Sequence, residues 1–274
     1  MRIRVSGTIV LCLAALWTAC GGSPTQPSAV TTSQTVPPIN SLSAPPPRPL
    51  SKTTFVAFGD SITAGTIATP QGLLPLVVAP QSYPAQLETL LSIDHPDQRI
   101  QVYNEGVAGE PTFVGISRLP GVLSADQPQV LLLLEGVDDL DALGAAGIQP
   151  TIANLGSMIA EAQGQGITVF VGTLLPQVAG GYRAYSINLI APFNAALEQL
   201  VAGDGATLVD FYTPFAADLS LIGYDGLHPN AAGYLKMAQI WEQAINSALE
   251  IPLPTVTTSV SPPGPNSIVN GHPQ

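Results

Sequence analysis

The sequence predicts a three-layer α/β/α sandwich built on a mainly parallel, five-stranded sheet. Short apolar runs alternate along the chain with longer segments of helical periodicity. The runs are apolar at consecutive positions rather than at every second one, the pattern of strands covered by helices on both faces. Apolar residues make up 46% of the chain and aromatics only 6%, so Ala, Leu, Val and Ile must fill the core. The candidate strands are Thr54–Phe58, Ile100–Tyr103, Val130–Leu134, Thr168–Gly172 and Thr207–Asp210. Helical patterns lie near Tyr83–Ser92, Pro111–Ser124, Thr151–Gln163 and Ile187–Val201. The last helix, about Ala231–Leu249, is the clearest, with Tyr234, Met237, Ala238, Trp241, Ala244, Ile245 and Ala248 on one face. That stripe reads as core, not as a cofactor site.

The ends are of a different character. Residues 1–20 combine Arg2 and Arg4, an apolar run from Ile9 to Trp17 and small residues before Cys20, the composition of a secretory signal. The run is shorter than the roughly 20 residues a spanning helix needs. Residues 21–52 are rich in Pro, Ser and Thr and read as a disordered tether, unable to bury enough apolar surface to order. Residues 251–274 share that composition and read as a disordered tail. One domain of roughly 200 residues remains at 53–250, large enough for a full core.

Charge and metal-ligand chemistry exclude several classes. A formal net charge of −11 repels phosphate backbones, so nucleic acid is not a partner. Cys12 and Cys20, both ahead of the domain, cannot build a disulfide framework or a thiolate zinc site. His95, His228 and His272 are too scattered for a metal cluster. No cofactor or metal is expected.

Two stretches carry chemistry. In FVAFGDSIT, Phe55 to Phe58 form an apolar run that stops at Gly59, Asp60 and Ser61. Ligand chemistry in open α/β sheets collects beyond the carboxyl ends of the strands, and Ser61 falls there. In YDGLHPNAAGY, Asp225 and His228 precede the last helix. Gly226 permits a turn that folds the Asp225 carboxylate toward the imidazole. Pro229 keeps His228 extended and is expected to start the helix. A histidine oriented by a carboxylate is the second half of a serine-nucleophile triad.

GDSIT together with DGLHPN resembles the SGNH, or GDSL-type, hydrolase superfamily (GDSL lipases and esterases), in its bacterial lysophospholipase/thioesterase-like branch. The resemblance covers about residues 53–250 and implies a flavodoxin-like fold and ester hydrolysis without cofactor. It implies Ser61 as nucleophile, His228 as general base and Asp225 as the orienting acid. The family's second block matches Asn104-Glu105-Gly106-Val107-Ala108-Gly109, which implies an oxyanion hole formed by the N–H groups of Ser61 and Gly109. The third block, Gly-x-Asn-Asp in the family, reads Gly136-Val137-Asp138-Asp139 here, so Asp138 stands where an asparagine donor is expected.

An ionised Asp138 would oppose the reaction. Two unit charges about 4 Å apart at an effective dielectric near 20 repel by roughly 4 kcal/mol, about a thousandfold in rate. Either the esterase is slow, or crowding by Asp139 and Asp225 raises the Asp138 pKa and keeps it neutral, a form that can donate to an oxyanion and favours mild acidity.

Leu16-Trp17-Thr18-Ala19-Cys20 resembles a bacterial lipobox, departing from it where Trp17 replaces the usual leucine. That implies lipidation at Cys20 and a membrane-anchored, extracytoplasmic lipoprotein of the bacterial cell envelope; the alternative is plain secretion. The long connection from Ile62 to Gln81, with Leu73, Leu74, Leu76, Val77 and Val78, and the loop Leu175–Tyr185 with Arg183, are expected to border the site. Three functions follow: a serine esterase on acyl or aryl esters, a carbohydrate O-acetylesterase, or a catalytically impaired domain that binds envelope glycans or lipids.

Overall fold

The computed structural model describes residues 48–69 and 76–252. The predicted signal peptide with Cys20, nearly all of the tether and the tail beyond Pro252 lie outside the described residues.

Strand β1 (Thr54–Gly59) leads into a one-turn helix, α1 (Ser61–Ala64), and a small antiparallel pair, β2 (Thr66–Ile67) and β3 (Leu76–Val77). Then follow α2 (Tyr83–Asp94), β4 (Gln101–Gly106), α3 (Thr112–Asp126), β5 (Val130–Leu134), α4 (Val137–Leu143), α5 (Ile148–Gly164), β6 (Thr168–Gly172), α6 (Ile190–Asp204), β7 (Thr207–Val209), α7 (Tyr212–Ala217) and α8 (Ala231–Leu249). Among the described residues, five strands form a parallel sheet in the order β4-β1-β5-β6-β7. This doubly wound order has its switch point at β1/β5, where the crevice for ligands opens.

Helix α2 packs on α8, while α3 packs on α5 and α5 on α6. Covered in this way, Phe55 to Phe58 and Val130 to Leu133 are wholly buried, which explains their unbroken apolar runs. The stripe of α8 is core: Trp241 meets Phe211 edge-on at 5.0 Å and Tyr83 at 6.2 Å. The helix starts two residues later than Pro229 suggests. Asn230 caps it by accepting from the Gly233 N–H at 3.1 Å, and Pro229 instead forms an isolated bridge with Ile222. His95 is a structural tie, its ring nitrogens 2.7 Å from the Arg48 carbonyl and 3.0 Å from Asn246 Oδ1.

Between β6 and α6 the chain makes a long excursion that backs the turn at Asp225–His228. The Val178 N–H donates to the Gly226 carbonyl and the Arg183 N–H to the Asp225 carbonyl, both at 2.8 Å. The two backbones come so close that a Cβ on Gly181 would sit 2.4 Å from the Asp225 oxygen and the Gly226 Cα. Gly181→Ala is therefore expected to cost about 1–3 kcal/mol by overpacking, lowering Tm by several degrees. Gly164→Ala, at a helical position where a Cβ meets nothing within 4 Å, should leave Tm unchanged or raise it. Thermal melts of the two variants check the contrast.

Candidate active site

The chain leaves β1 through Gly59 and enters α1 with no intervening loop. A Cβ on Gly59 would lie 1.9 Å from the Leu134 carbonyl oxygen, so only glycine lets the ends of β1 and β5 approach here. Asp60 caps the turn, its Oδ1 accepting from the Ile62 N–H at 2.8 Å. Ser61 is thereby fixed as the first residue of α1, at the switch point of the sheet.

From the opposite end of the chain, the Asp225–His228 turn reaches the same point. Asp225 Oδ1 accepts from the N–H groups of Leu227 and His228, both at 3.0 Å. Its Oδ2 lies 2.5 Å from His228 Nδ1, and His228 Nε2 lies 2.9 Å from Ser61 Oγ. The carboxylate assigns the ring proton to Nδ1, leaving Nε2 as acceptor for the serine hydroxyl. All three are buried, Asp225 and His228 at 0% and Ser61 at 5% exposure. Burial pushes the Asp225 carboxyl up, but its bond and charge interaction with His228 and the two N–H donors outweigh this and hold it below the usual range.

Gly109 lies in a turn closed by the Glu110 N–H donating to the Val107 carbonyl at 3.2 Å. Its φ of 78° is what the third residue of a type II turn requires. The Val107 N–H donates to the Gly59 carbonyl at 2.9 Å, which ties this turn to the end of β1. Gly109 and Asp138 line one cleft of about 420 Å³, together with Phe113, Leu143, Arg183 and Tyr185.

Asp138 stands in the first turn of α4, half-buried, with Oδ2 lacking any hydrogen-bond partner. Burial raises its pKa to about 6; Asp141 and then Asp139 push the same way, while Arg183 and His228 oppose them. Of the expected crowding by Asp139 and Asp225, the Asp139 part holds and the Asp225 part is corrected. Asp141 is the leading charge, and Asp225 is not among the groups that shift it. Asp139 is occupied elsewhere, accepting from the Thr112 N–H at 2.8 Å and the Thr112 hydroxyl at 2.7 Å. Arg183 borders the cleft as expected and faces Asp138. In the other predicted border, Leu76 and Val77 are exposed on β3, while Leu73 and Leu74 lie outside the described residues.

Two buried carboxyls were not singled out from the sequence. Burial, then Asp138, drives Asp60 well above the usual carboxylate range. Glu135, 2% exposed at the end of β5, has neither oxygen hydrogen-bonded. Burial raises it to about 9, with Asp60, Glu110 and Asp139 adding and Arg118 opposing. The Glu ending the apolar run Val130–Leu134 is the one sequence signal of that burial. Among the described residues, no group of three or more His, Cys, Asp or Glu is arranged to hold a metal ion.

A parallel α/β sandwich with a carboxylate–imidazole–hydroxyl relay at its switch point has the arrangement of the serine hydrolases. More narrowly, the chain belongs to the GDSL-like Lipase/Acylhydrolase family, whose pattern it matches over residues 57–236, and so to the carboxylic ester hydrolases. It is 27% identical over 193 residues to Esterase TesA of Pseudomonas aeruginosa, covering 69% of this chain and 86% of that protein. Among solved structures, a lipase/acylhydrolase from Enterococcus faecalis superposes with a TM-score of 0.60 at 20% identity, covering 73% of this chain and 99% of that one. A carbohydrate acetylesterase from Sinorhizobium meliloti superposes with a TM-score of 0.58 at 16% identity, covering 72% and 99%. The structural neighbours bear out the predicted fold class.

The unpartnered Glu135 makes stability depend on pH with a definite sign. Between about pH 4.5, the usual glutamate value, and about 9, the folded chain keeps a proton that the unfolded chain has released. Wild-type stability therefore falls with rising pH, by up to about 1.4 kcal/mol per pH unit from this group. Glu135→Gln escapes that loss, so its Tm advantage over wild type is expected to widen by at least about 4 °C from pH 5 to pH 8. A constant difference in thermal melts would show that Glu135 is ionised in the fold.

Proposed function

We propose that the protein is a serine esterase that hydrolyses carboxylic esters through an acyl-Ser61 intermediate. The observation that carries this is the continuous path Asp225 Oδ2–His228 Nδ1 and His228 Nε2–Ser61 Oγ, at 2.5 and 2.9 Å. His228 Nε2 takes the Ser61 proton as Oγ attacks the ester carbonyl, and Asp225 stabilises the imidazolium that results. The oxyanion is received by the N–H groups of Ser61 and Gly109. The imidazolium then protonates the departing alkoxide, giving alcohol and acyl-Ser61. Water, deprotonated by His228 in its turn, attacks the acyl carbon and releases the acid with Ser61 restored.

Asp138 is the third member of the oxyanion site, and only in its neutral form. With a pKa raised to about 6, it donates a hydrogen bond at lower pH and opposes the oxyanion with its charge at higher pH. The ratio of Asp138→Asn to wild-type turnover is therefore expected to be near one at pH 5 and to exceed about tenfold at pH 8. If the asparagine variant is no faster anywhere between pH 5 and 9, Asp138 does not act on the oxyanion.

The substrate of this reading is a small acyl or aryl ester, supported by the apolar Phe113 and Leu143 at the rim of the cleft. Carbohydrate O-acetylester hydrolysis is the second reading, supported by the acetylesterase from Sinorhizobium meliloti among the structural relatives. p-Nitrophenyl esters of increasing chain length, followed by acetylated xylose oligomers, separate the two. A fluorophosphonate probe is expected to label wild type and not Ser61→Ala. An unlabelled wild-type chain would instead leave a domain that binds envelope glycans or lipids without turnover. The reading also includes a lipid anchor at Cys20 in the bacterial cell envelope, supported by the lipobox-like Leu16–Cys20; Cys20→Ser should move the protein from the membrane to the soluble fraction.

A further inference from the structure

We propose that Arg118 is a positioning residue that fixes the Gly109 turn against the strand bearing Ser61, so that the two oxyanion N–H groups keep one separation. The inference rests on the esterase reading and adds to it a pair of residues that touch no substrate.

Arg118 stands in α3 with its side chain running back toward the helix N-terminus, the direction helical side chains favour. Its guanidinium meets three pieces of chain at once. Nε donates to both carboxylate oxygens of Glu110 at 3.0 Å, and Nη2 donates to Glu110 Oε1 at 2.5 Å. Glu110 directly follows Gly109 and is 4% exposed. Nη2 also donates to the Glu105 carbonyl at 2.9 Å, and Nη1 to Glu105 Oε2 at 3.4 Å, at the end of β4. The guanidinium carbon lies 4.0 Å over the ring of Phe58, three residues before Ser61, within cation–π range.

Phe58 and Glu105 are paired in the sheet, so the contacts to them hold Arg118 to a fixed point of the scaffold. The contact to Glu110 then carries that fixed point to the Gly109 turn. Without it, the turn is left with the Val107–Gly59 and Glu110–Val107 backbone bonds and, one residue beyond Pro111, the grip of Asp139 on Thr112. A lysine cannot reproduce the arrangement, because a single ammonium lacks the planar fork that reaches a carboxylate and a carbonyl in fixed directions. The cost of losing it falls on the transition state, since the oxyanion exists only there.

The test compares wild type, Arg118→Lys, the double variant Arg118→Met with Glu110→Gln, and Ser61→Ala. Removing both charges together avoids a buried unpaired ion. With p-nitrophenyl acetate, the positioning role predicts kcat reduced at least about tenfold with KM within twofold of wild type. Inhibition by phenylboronic acid, whose tetrahedral serine adduct mimics the transition state, should weaken by the same factor as kcat/KM. Arg118→Lys, which keeps the charge, should show the same split with a Tm close to wild type, and it decides the matter if the double variant fails to fold. A wild-type kcat in folded Arg118→Lys, or a change confined to KM, overturns the inference. Ser61→Ala as active as wild type would instead overturn the esterase reading itself.

Discussion

Carboxyl groups crowd the carboxyl edge of this sheet, and the site depends on each being either neutral or held. Asp60, Glu135, Asp139 and Asp225 are all buried within the elements that surround Ser61, and Asp138 is half-buried beside them. An oxyanion cannot form cheaply among ionised carboxylates in a low-dielectric site. The fold resolves this in three ways. Burial drives Asp60 and Glu135 above the usual carboxylate range, and Glu135, raised to about 9, keeps its proton at neutral pH. Asp139 and Glu110 are occupied, one by the N-terminus of α3 and the other by Arg118. Asp225 is given an imidazole and two backbone donors, which hold its carboxyl below the usual range. Asp138 has none of these provisions in full, so its charge is the one set by the pH around it.

The two halves of the site are built on different principles. Asp225 and His228 lie three residues apart, and one turn with two Asx-type backbone bonds fixes their geometry. The β6–α6 excursion then braces that turn from behind, and Ser186 Oγ, donating to Asp141 Oδ1 at 2.5 Å, ties the excursion to α4. The proposed oxyanion half has no such local frame. Ser61, Gly109 and Asp138 follow three different strands, β1, β4 and β5, and only the register of the sheet and the contacts of α3 align them. Errors of an ångström are costly in such a constellation.

This difference explains what could be read from the residues alone. The relay was legible because Gly226 and Pro229 are local signals, and because the first strand and last helix of a doubly wound sheet share an edge. The main strands were legible for the same reason: Val130–Leu134 and Thr168–Gly172 run as predicted, since unbroken apolar runs have one use in a covered sheet. The short α4 and α7 were not legible, being too brief to show a period. Neither was the pair β2 and β3, two residues each. The raised pKa values of Asp60 and Glu135 were hidden because burial is a property of the assembled layers. Asp138 was legible as a departure from Asn, but of its neighbours only Asp139 was foreseen: Asp141 acts on it from one turn along α4, a helix too short to be read from the sequence.

An asparagine in the place of Asp138 would be a donor at every pH, and its amide would be insensitive to the carboxyls around it. In the proposed mechanism the aspartate makes the third donor conditional, in surroundings already assembled to favour its protonated form. Arg183 sits at the balance point. Its charge opposes protonation of Asp138, while the acids of α4 promote it, and its backbone N–H grips the carbonyl of Asp225. A shift of the β6–α6 excursion would therefore move the turn that carries His228 and the acidity of the proposed oxyanion donor Asp138 together. The two halves, built on different principles, are joined at that loop.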